Sequence, residues 1–277
     1  MRIYVDSRYR TPDSASASDF TIELLEALPM PDRCRIRIHD VSAPYAWRTV
    51  EGGLNQNIFV EERVNASLPD STKRLIVLPV GQYDGRSLAQ TMQTALNTGH
   101  SFGSGTPYTV VYSEQTGTIS VSLSASLPGS WAFWPDQDLM RETSWPGANP
   151  KNPRSFNRNL RVREKTFHTS LIPFVSEFVD LMTVKALYVC SDTLGLRTNV
   201  GPAPGQRNCL CKVAVTSGYG YLVHSDGATW EYVEGGGGNI LKRLSFRLED
   251  VTGAVVPLHG CEWSFCIAIN DPVDFGS

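Results

Sequence analysis

Apolar and polar side chains alternate with a period of two along much of the chain, in short runs separated by Gly, Pro, Asn and Asp clusters. That period sends successive side chains to opposite faces of an extended backbone, so each run predicts a β-strand. "RIYVD" at 2–6 opens the series and "DFTIELL" at 19–25 follows. In "RCRIRIHDV" at 33–41, Cys34, Ile36, Ile38 and Asp40 share one face, while Arg33, Arg35, Arg37 and His39 make the other face basic and wet. "QNIFVEE" and "KRLIVLPV" form a further pair, the second apolar enough for a sheet interior. Strands resume with "LMTVKALYVCS", "NCLCKVAVTS", "YGYLVHS" and "NILKRLSFRLED" and close with "CEWSFCIAI", for about twelve in all.

The period changes once. In "YDGRSLAQTMQTALNTG", Leu88, Met92, Ala95 and Leu96 recur at helical spacing, with Asp84 or Ser87 to cap the start and Gly99 to end it. One helix is predicted at about 86–97, followed by a hairpin in "YTVVYSEQTGTISVSL". Residues 128–161 carry five prolines and three of the six tryptophans, which predicts an ordered, packed loop. Strands spaced by turns and long connections make sandwiches or barrels. The expected fold is all-β: a single jelly-roll β-sandwich over 1–277, with a helix-hairpin insertion at about 84–124 and a Pro/Trp-rich loop at about 128–161.

Composition agrees with a turn-rich globular chain of 277 residues, 41% hydrophobic and 19% charged. A net charge of −3 argues against a surface built throughout to neutralise phosphates, so bulk nucleic-acid packaging is not expected. No apolar run is long enough for a membrane span, and "MRIYVDSRYR" lacks the apolar core of a secretory signal, so assembly inside a cell is expected. Six cysteines in this length are too sparse for a disulfide scaffold and are expected as buried thiols.

Candidate chemistry is thin. On a regular strand His259, Cys261, Trp263, Phe265, Ile267 and Ile269 share a core face and Cys266 points the other way, so the two cysteines cannot chelate one ion. Cys209 and Cys211 could face one side, but Cys-x-Cys without a second pair is not a structural zinc pattern. There is no Gly-x-Ser-x-Gly elbow; "FGSGT" has Phe102 in place of the first glycine. "GYGYLV" and "GGGGNILK" lack the spacing of nucleotide-binding loops and are expected as turns. No catalytic residue, metal ligand, cofactor or small-molecule substrate is therefore expected. The strongest local charge asymmetry lies in "KNPRSFNRNLRVREK" at 151–165, where six basic residues meet the single Glu164. Trp131, Trp134 and Trp145 with Arg154, Arg158, Arg161 and Arg163 are the candidate interface, either for another protein or, through the tryptophans, for stacked sugar rings.

The order of elements resembles one family. "VDSRYR", then "SDFTIELLEALPMPDRCRIRIHDVSAPYAW", the "GQYDGRSLAQTMQTALN" helix with its hairpin, and "VPLHGCEWSFCIAI" resemble the minor capsid, or penton, proteins of Polinton/Maverick-type elements and related double-jelly-roll DNA viruses. The resemblance runs from residue 4 to about 269 through short, degenerate motifs. It implies a viral structural protein rather than an enzyme: a subunit that pentamerises at the vertices of an icosahedral virion, beside a major capsid protein, after assembly in a host cell. A host surface molecule is a further partner it would allow. The alternatives are a β-sandwich that binds a glycan or receptor through its tryptophan loop, and a jelly-roll enzyme using His259, Cys209 and Cys211.

Overall fold

The computed structural model describes residues 1–30, 33–103, 105–142, 145, 155–194, 208–226, 233–236 and 240–270. The side chains of 33–34, 233–236 and 270 lie outside that description. The chain divides into two compact units: unit 1 comprises Met1–Trp47 with Val184–Ser277, and unit 2 is Arg48–Thr183.

Unit 1 opens with β1 (Arg2–Asp6), β2 (Asp19–Pro29) and β3 (Arg33–Pro44). Unit 2 follows with β4 (Asn57–Arg63), β5 (Thr72–Val77), α1 (Gly85–Asn97), β6 (Tyr108–Ser113), β7 (Thr118–Leu123), β8 (Ser130–Phe133), α2 (Asp136–Leu139), β9 (His168–Thr169) and β10 (Phe174–Val175). The chain returns to unit 1 with β11 (Ala186–Cys190), β12 (Cys209–Ala214), β13 (Leu222–Ser225), β14 (Val233–Gly236), β15 (Ile240–Glu249) and β16 (Ser264–Asn270).

The sheets of unit 1 run β1-β16-β3-β13, with β14 pairing farther along β3, and β12-β11-β15-β2. With β13 and β14 taken as one interrupted strand, unit 1 has eight strands in chain order, and its sheets read first-eighth-third-sixth and fifth-fourth-seventh-second. That interleaving is the winding of a jelly roll, so the expected all-β jelly roll is present. All the assigned pairs are antiparallel.

Aromatic side chains fill the core of unit 1. Phe20 meets Trp263 edge-on at 5.7 Å, Trp263 stacks on Phe265 at 4.7 Å, and Phe265 meets Phe246 at 4.9 Å. The Trp263 indole N–H donates to the Ala17 carbonyl at 2.7 Å, so this ring is buried without leaving a donor unpaired. The same cluster holds Ile267 and Ile269, which confirms the apolar face expected of the closing strand.

Three local expectations fail here for the same reason, that the strand is not regular where regularity was assumed. The β3–β16 register slips between Cys266 and Ile267, so two residues of β3 oppose one of β16 near His39. The core face of β3 therefore switches from Ile36 and Ile38 to Val41 and Ala43, and Asp40 escapes the apolar face. A second slip between Val189 and Cys190 pairs Cys190 with Cys209 and Val189 with Cys211. Cys211 then joins the inter-sheet core while Cys209 joins Tyr188 and Cys190 in a separate cluster, so the pair does not share a side. Finally, the closing strand begins at Ser264; His259 and Gly260 adopt positive φ in a turn, and Cys261 is exposed rather than buried.

Unit 2 has one sheet in the order β5-β4-β8-β9 and another in the order β10-β7-β6, with α1 against β6. Asp84 and Ser87 form a reciprocal capping box at the start of α1, which buries Leu88, Ala89, Met92 and Leu96. The helix also protects a sheet edge: Asn97 Oδ1 accepts from the Tyr108 amide at 2.9 Å, its Nδ2 donates to the Tyr108 carbonyl at 2.8 Å, and Gln93 Oε1 accepts from the Val110 amide at 2.9 Å. A Cβ at position 85 would lie 2.2 Å from the Tyr112 ring, so a larger residue there requires that ring to move. β5 is an edge strand rather than a sheet interior, and the stretch expected as a loop from residue 128 contains β8, an inner strand of its sheet. All four residues of β8 are buried, so its pattern shows no alternation.

The helix and hairpin expected as an insertion thus belong to a larger unit that also holds the Pro/Trp segment. The Thr183 hydroxyl donates to the Arg48 carbonyl at 3.4 Å, so the ends of unit 2 meet. Residues 48–183 expressed alone should unfold cooperatively in urea with a single midpoint; a chain that binds a hydrophobic dye and melts without a transition would contradict their independence.

Candidate functional site

Every candidate interface residue falls in unit 2, and the structure divides them by burial. Trp131, Trp134 and Trp145 are 0%, 8% and 5% exposed. Trp131 is a core ring between Tyr108, at 5.6 Å, and Phe133, at 4.8 Å. The expectation of a surface tryptophan platform is corrected here, because none of the three rings has a free face for a sugar.

Trp134 and Trp145 form a second, smaller cluster. They meet edge-on at 5.1 Å, Trp145 meets Phe59 at 5.2 Å, and Leu139 of α2 completes the packing. Two lysines cover the tryptophans: Lys73 Nζ lies 5.0 Å from the Trp134 ring and 5.5 Å from Trp145, and Lys165 Nζ lies 4.1 Å from Trp134. Each lysine also has a carboxylate, Glu142 at 2.5 Å for Lys73 and Glu61 at 2.7 Å for Lys165. The Trp134 indole donates to Glu61 Oε2 at 2.8 Å. Burial alone would raise the Glu61 carboxyl, but hydrogen bonds from Lys165, Ser71 and Trp134 outweigh it and hold the group below the usual carboxylate range.

Glu62, the next residue on β4, projects to the opposite face and is also buried. It pairs with Arg74, accepts from the Tyr108 hydroxyl at 2.7 Å and accepts from the Ser101 amide at 2.8 Å. Burial and the Glu62 charge push the Tyr108 phenol far above its ordinary value, so it stays a donor at any ordinary pH. These groups satisfy one another's hydrogen-bonding needs inside the fold.

The described members of the basic run have acidic neighbours within unit 2. Arg161, in a left-handed conformation, reaches Asp180 at 2.9 Å, and Arg163 reaches Glu177 at 2.6 Å. Arg158, at the end of a 3₁₀ turn, faces Asp136, whose carboxyl is raised by burial against the opposing pull of Ser155 and Arg158. Arg154 lies outside the described residues. Among the described residues, the positive charges of Arg158, Arg161, Arg163 and Lys165 are therefore met by acids at 136, 180, 177 and 61, and Lys151 lies outside the description like Arg154. Counting charges within the window missed them because the pairs form only across the fold.

What sequence reasoning missed is the exposed apolar surface. In unit 2, Leu171 and Ile172 project from the tight turn between β9 and β10, and Val111 and Val175 flank Ser120 across the outer face of the three-stranded sheet. In unit 1, Tyr4, Tyr9, Leu25 and Ile240 are largely exposed. Among the described residues no three His, Cys, Asp or Glu side chains gather as a metal ion would need, and no helix is long and apolar enough to cross a membrane.

A jelly roll interrupted by a large insertion is the class of fold these observations define. No family model and no curated protein matches the chain. Among solved structures, the mavirus penton protein aligns over 98% of this chain and 99% of its own, at 10% identity and a TM-score of 0.49. A chain of the Sputnik virophage aligns over 97% of each, at 13% identity and a TM-score of 0.43.

Two predictions follow from the lysine-tryptophan cluster. Trp134→Ala should cost about 3–5 kcal/mol of unfolding free energy by urea titration, the range for emptying an aromatic site. Because the folded Glu61 carboxyl lies below its unfolded value, its contribution is full above the unfolded pKa and is lost as pH falls through the folded one. Glu61→Gln should therefore flatten the acid limb of a stability-pH profile while leaving the protein weaker at neutral pH.

Proposed function

We propose that this chain is a structural subunit of a viral shell, a minor capsid protein that oligomerises as a pentamer at the vertices of an icosahedral virion beside a major capsid protein. Both units, residues 1–277, would serve as one subunit without catalytic activity. The observation that carries this reading is the strand order of unit 1, a complete jelly roll whose inter-sheet space is filled by Phe20, Phe246, Trp263 and Phe265. Jelly rolls serve in capsids, in lectins and in cupin-type enzymes. A filled interior suits a building block better than an enzyme that needs a cavity between its sheets. Burial of all three tryptophans removes the feature that favoured glycan binding.

The resemblance of the sequence segments to penton proteins supports the same assignment. Association also has a physical basis in the exposed Tyr4, Tyr9, Leu25 and Ile240, apolar surface of the kind that subunit contacts bury. Arg161 and Arg163 would add to such a contact as ion-paired side chains that keep part of their surface exposed on unit 2.

Native mass spectrometry of the purified protein should give a species of five times 30.6 kDa, alone or on addition of the major capsid protein, with five-membered rings by negative-stain microscopy. A monomer at high concentration under both conditions would overturn the reading. Leu25→Asp should weaken the association at least tenfold without altering the circular dichroism spectrum of the subunit.

A further inference from the structure

Cys190 ends β11 and Cys209 begins β12, and the register slip pairs them directly across the two antiparallel strands. Antiparallel partners have Cα atoms about 4.5–5.5 Å apart, inside the range a disulfide spans. The two side chains belong to one small cluster with Tyr188 and Ala186, on the face of the sheet away from Cys211. The two thiols are close enough for each to influence the other's protonation. Cys190 Sγ also lies 3.7 Å from Glu249 Oε2, whose other oxygen accepts from Arg247 Nε at 2.8 Å. Cys211 faces the inter-sheet core, Cys266 lies in the other sheet and Cys261 is exposed on a turn, so none of these three matches the paired position of Cys190 and Cys209.

We propose that Cys190 and Cys209 are a modification site, an oxidisable pair that forms a cross-strand disulfide on meeting a low-molecular-weight disulfide of the glutathione type. Cys209 reacts first, because it is 8% exposed whereas Cys190 is fully buried. Its thiolate attacks one sulphur of the small disulfide and expels a small thiolate. The Cys190 thiolate then attacks the Cys209 sulphur of the mixed disulfide and expels the second. In total two protein thiols are oxidised to one disulfide, one small disulfide is reduced to two thiols, and the two protons pass to the departing thiolates.

The bond would lie where the ladder is weakest. β12 is the edge strand of its sheet, and the slip interrupts its pairing with β11 at the point where the cysteines meet. A covalent link there clamps the edge strand and closes the 191–208 connection. The Cys190 thiol is raised above its ordinary value by its Cys209 neighbour, by burial and by the Glu249 charge, so its thiolate is scarce and the closing step is slow. This inference stands on unit 1 alone and does not depend on the oligomer.

The test uses the full chain with Cys261→Ser, which removes the exposed thiol. After overnight incubation with oxidised glutathione, free thiols are blocked under denaturing conditions and the protein is mapped by mass spectrometry. The expected result is a 190–209 linked peptide, reversed by reductant, with a melting temperature about 5 °C above the reduced form, as closing a loop of this length provides. Further Cys190→Ser or Cys209→Ser substitution should abolish the linked peptide, and wild-type mapping decides the matter even if a variant misfolds. Complete alkylation of both cysteines after oxidation, stoichiometric zinc held by the thiols, or linkage to a different cysteine would each overturn the proposal.

Discussion

Each sheet of unit 1 closes only when a late strand slots between early ones. β16 must insert between β1 and β3, and β15 between β2 and β11, so neither sheet is complete until the C-terminal strands have arrived. The pairings of β16 with β1 and β3 and of β15 with β2 join residues more than two hundred positions apart, as in Arg2 with Ala268. The entropy of closing such loops is repaid by the aromatic core, since Phe246 on β15 meets Phe265 on β16, and Phe20 on β2 meets Trp263, across the inter-sheet space. The interruption at Trp47 is tolerable because unit 2 brings its own ends together at Arg48 and Thr183. A long insertion then acts on the jelly roll much as a short loop would.

In unit 2 the organising feature is β4, with Glu61 and Glu62 buried on opposite faces. Two adjacent carboxylates without water are costly unless each is fully paired. Lys165 and Trp134 answer one, while Arg74, Tyr108 and Ser101 answer the other. Tryptophans that looked like a recognition surface are the packing around those charges. Arginines that looked like an excess are the partners of Glu177 and Asp180. A surface used for assembly is better sought among the exposed aliphatic and tyrosyl side chains than in the segment of most conspicuous composition.

Much of the secondary structure was legible. The helix was expected at 86–97 and spans Gly85–Asn97, because apolar spacing and an Asp84 cap are both local signals. The hairpin at 108–123 and the closing strand were legible through alternation. β8 was not, since a strand buried on both faces has no alternating pattern, and Pro128 and Gly129 before it read as loop. The single-residue slips at His39 and Leu210 were also invisible, because a bulge follows from the pairing partner rather than from the bulged sequence. That is why Cys209 and Cys211 could be read as facing one side, whereas Cys209 is paired with Cys190.

Local periodicity and capping were enough for an all-β chain with one substantial helix and for the apolar faces of that helix, the 108–123 hairpin and the closing strand from Trp263 on, since both are properties of neighbouring residues. Which strands lie adjacent, that residues 48–183 form a compact unit, where the core face of β3 switches, which charges pair and which cysteines oppose one another emerge from the folded arrangement alone. Those outcomes depend on contacts between residues far apart along the chain, and a local pattern of apolar and polar positions does not specify its distant partner.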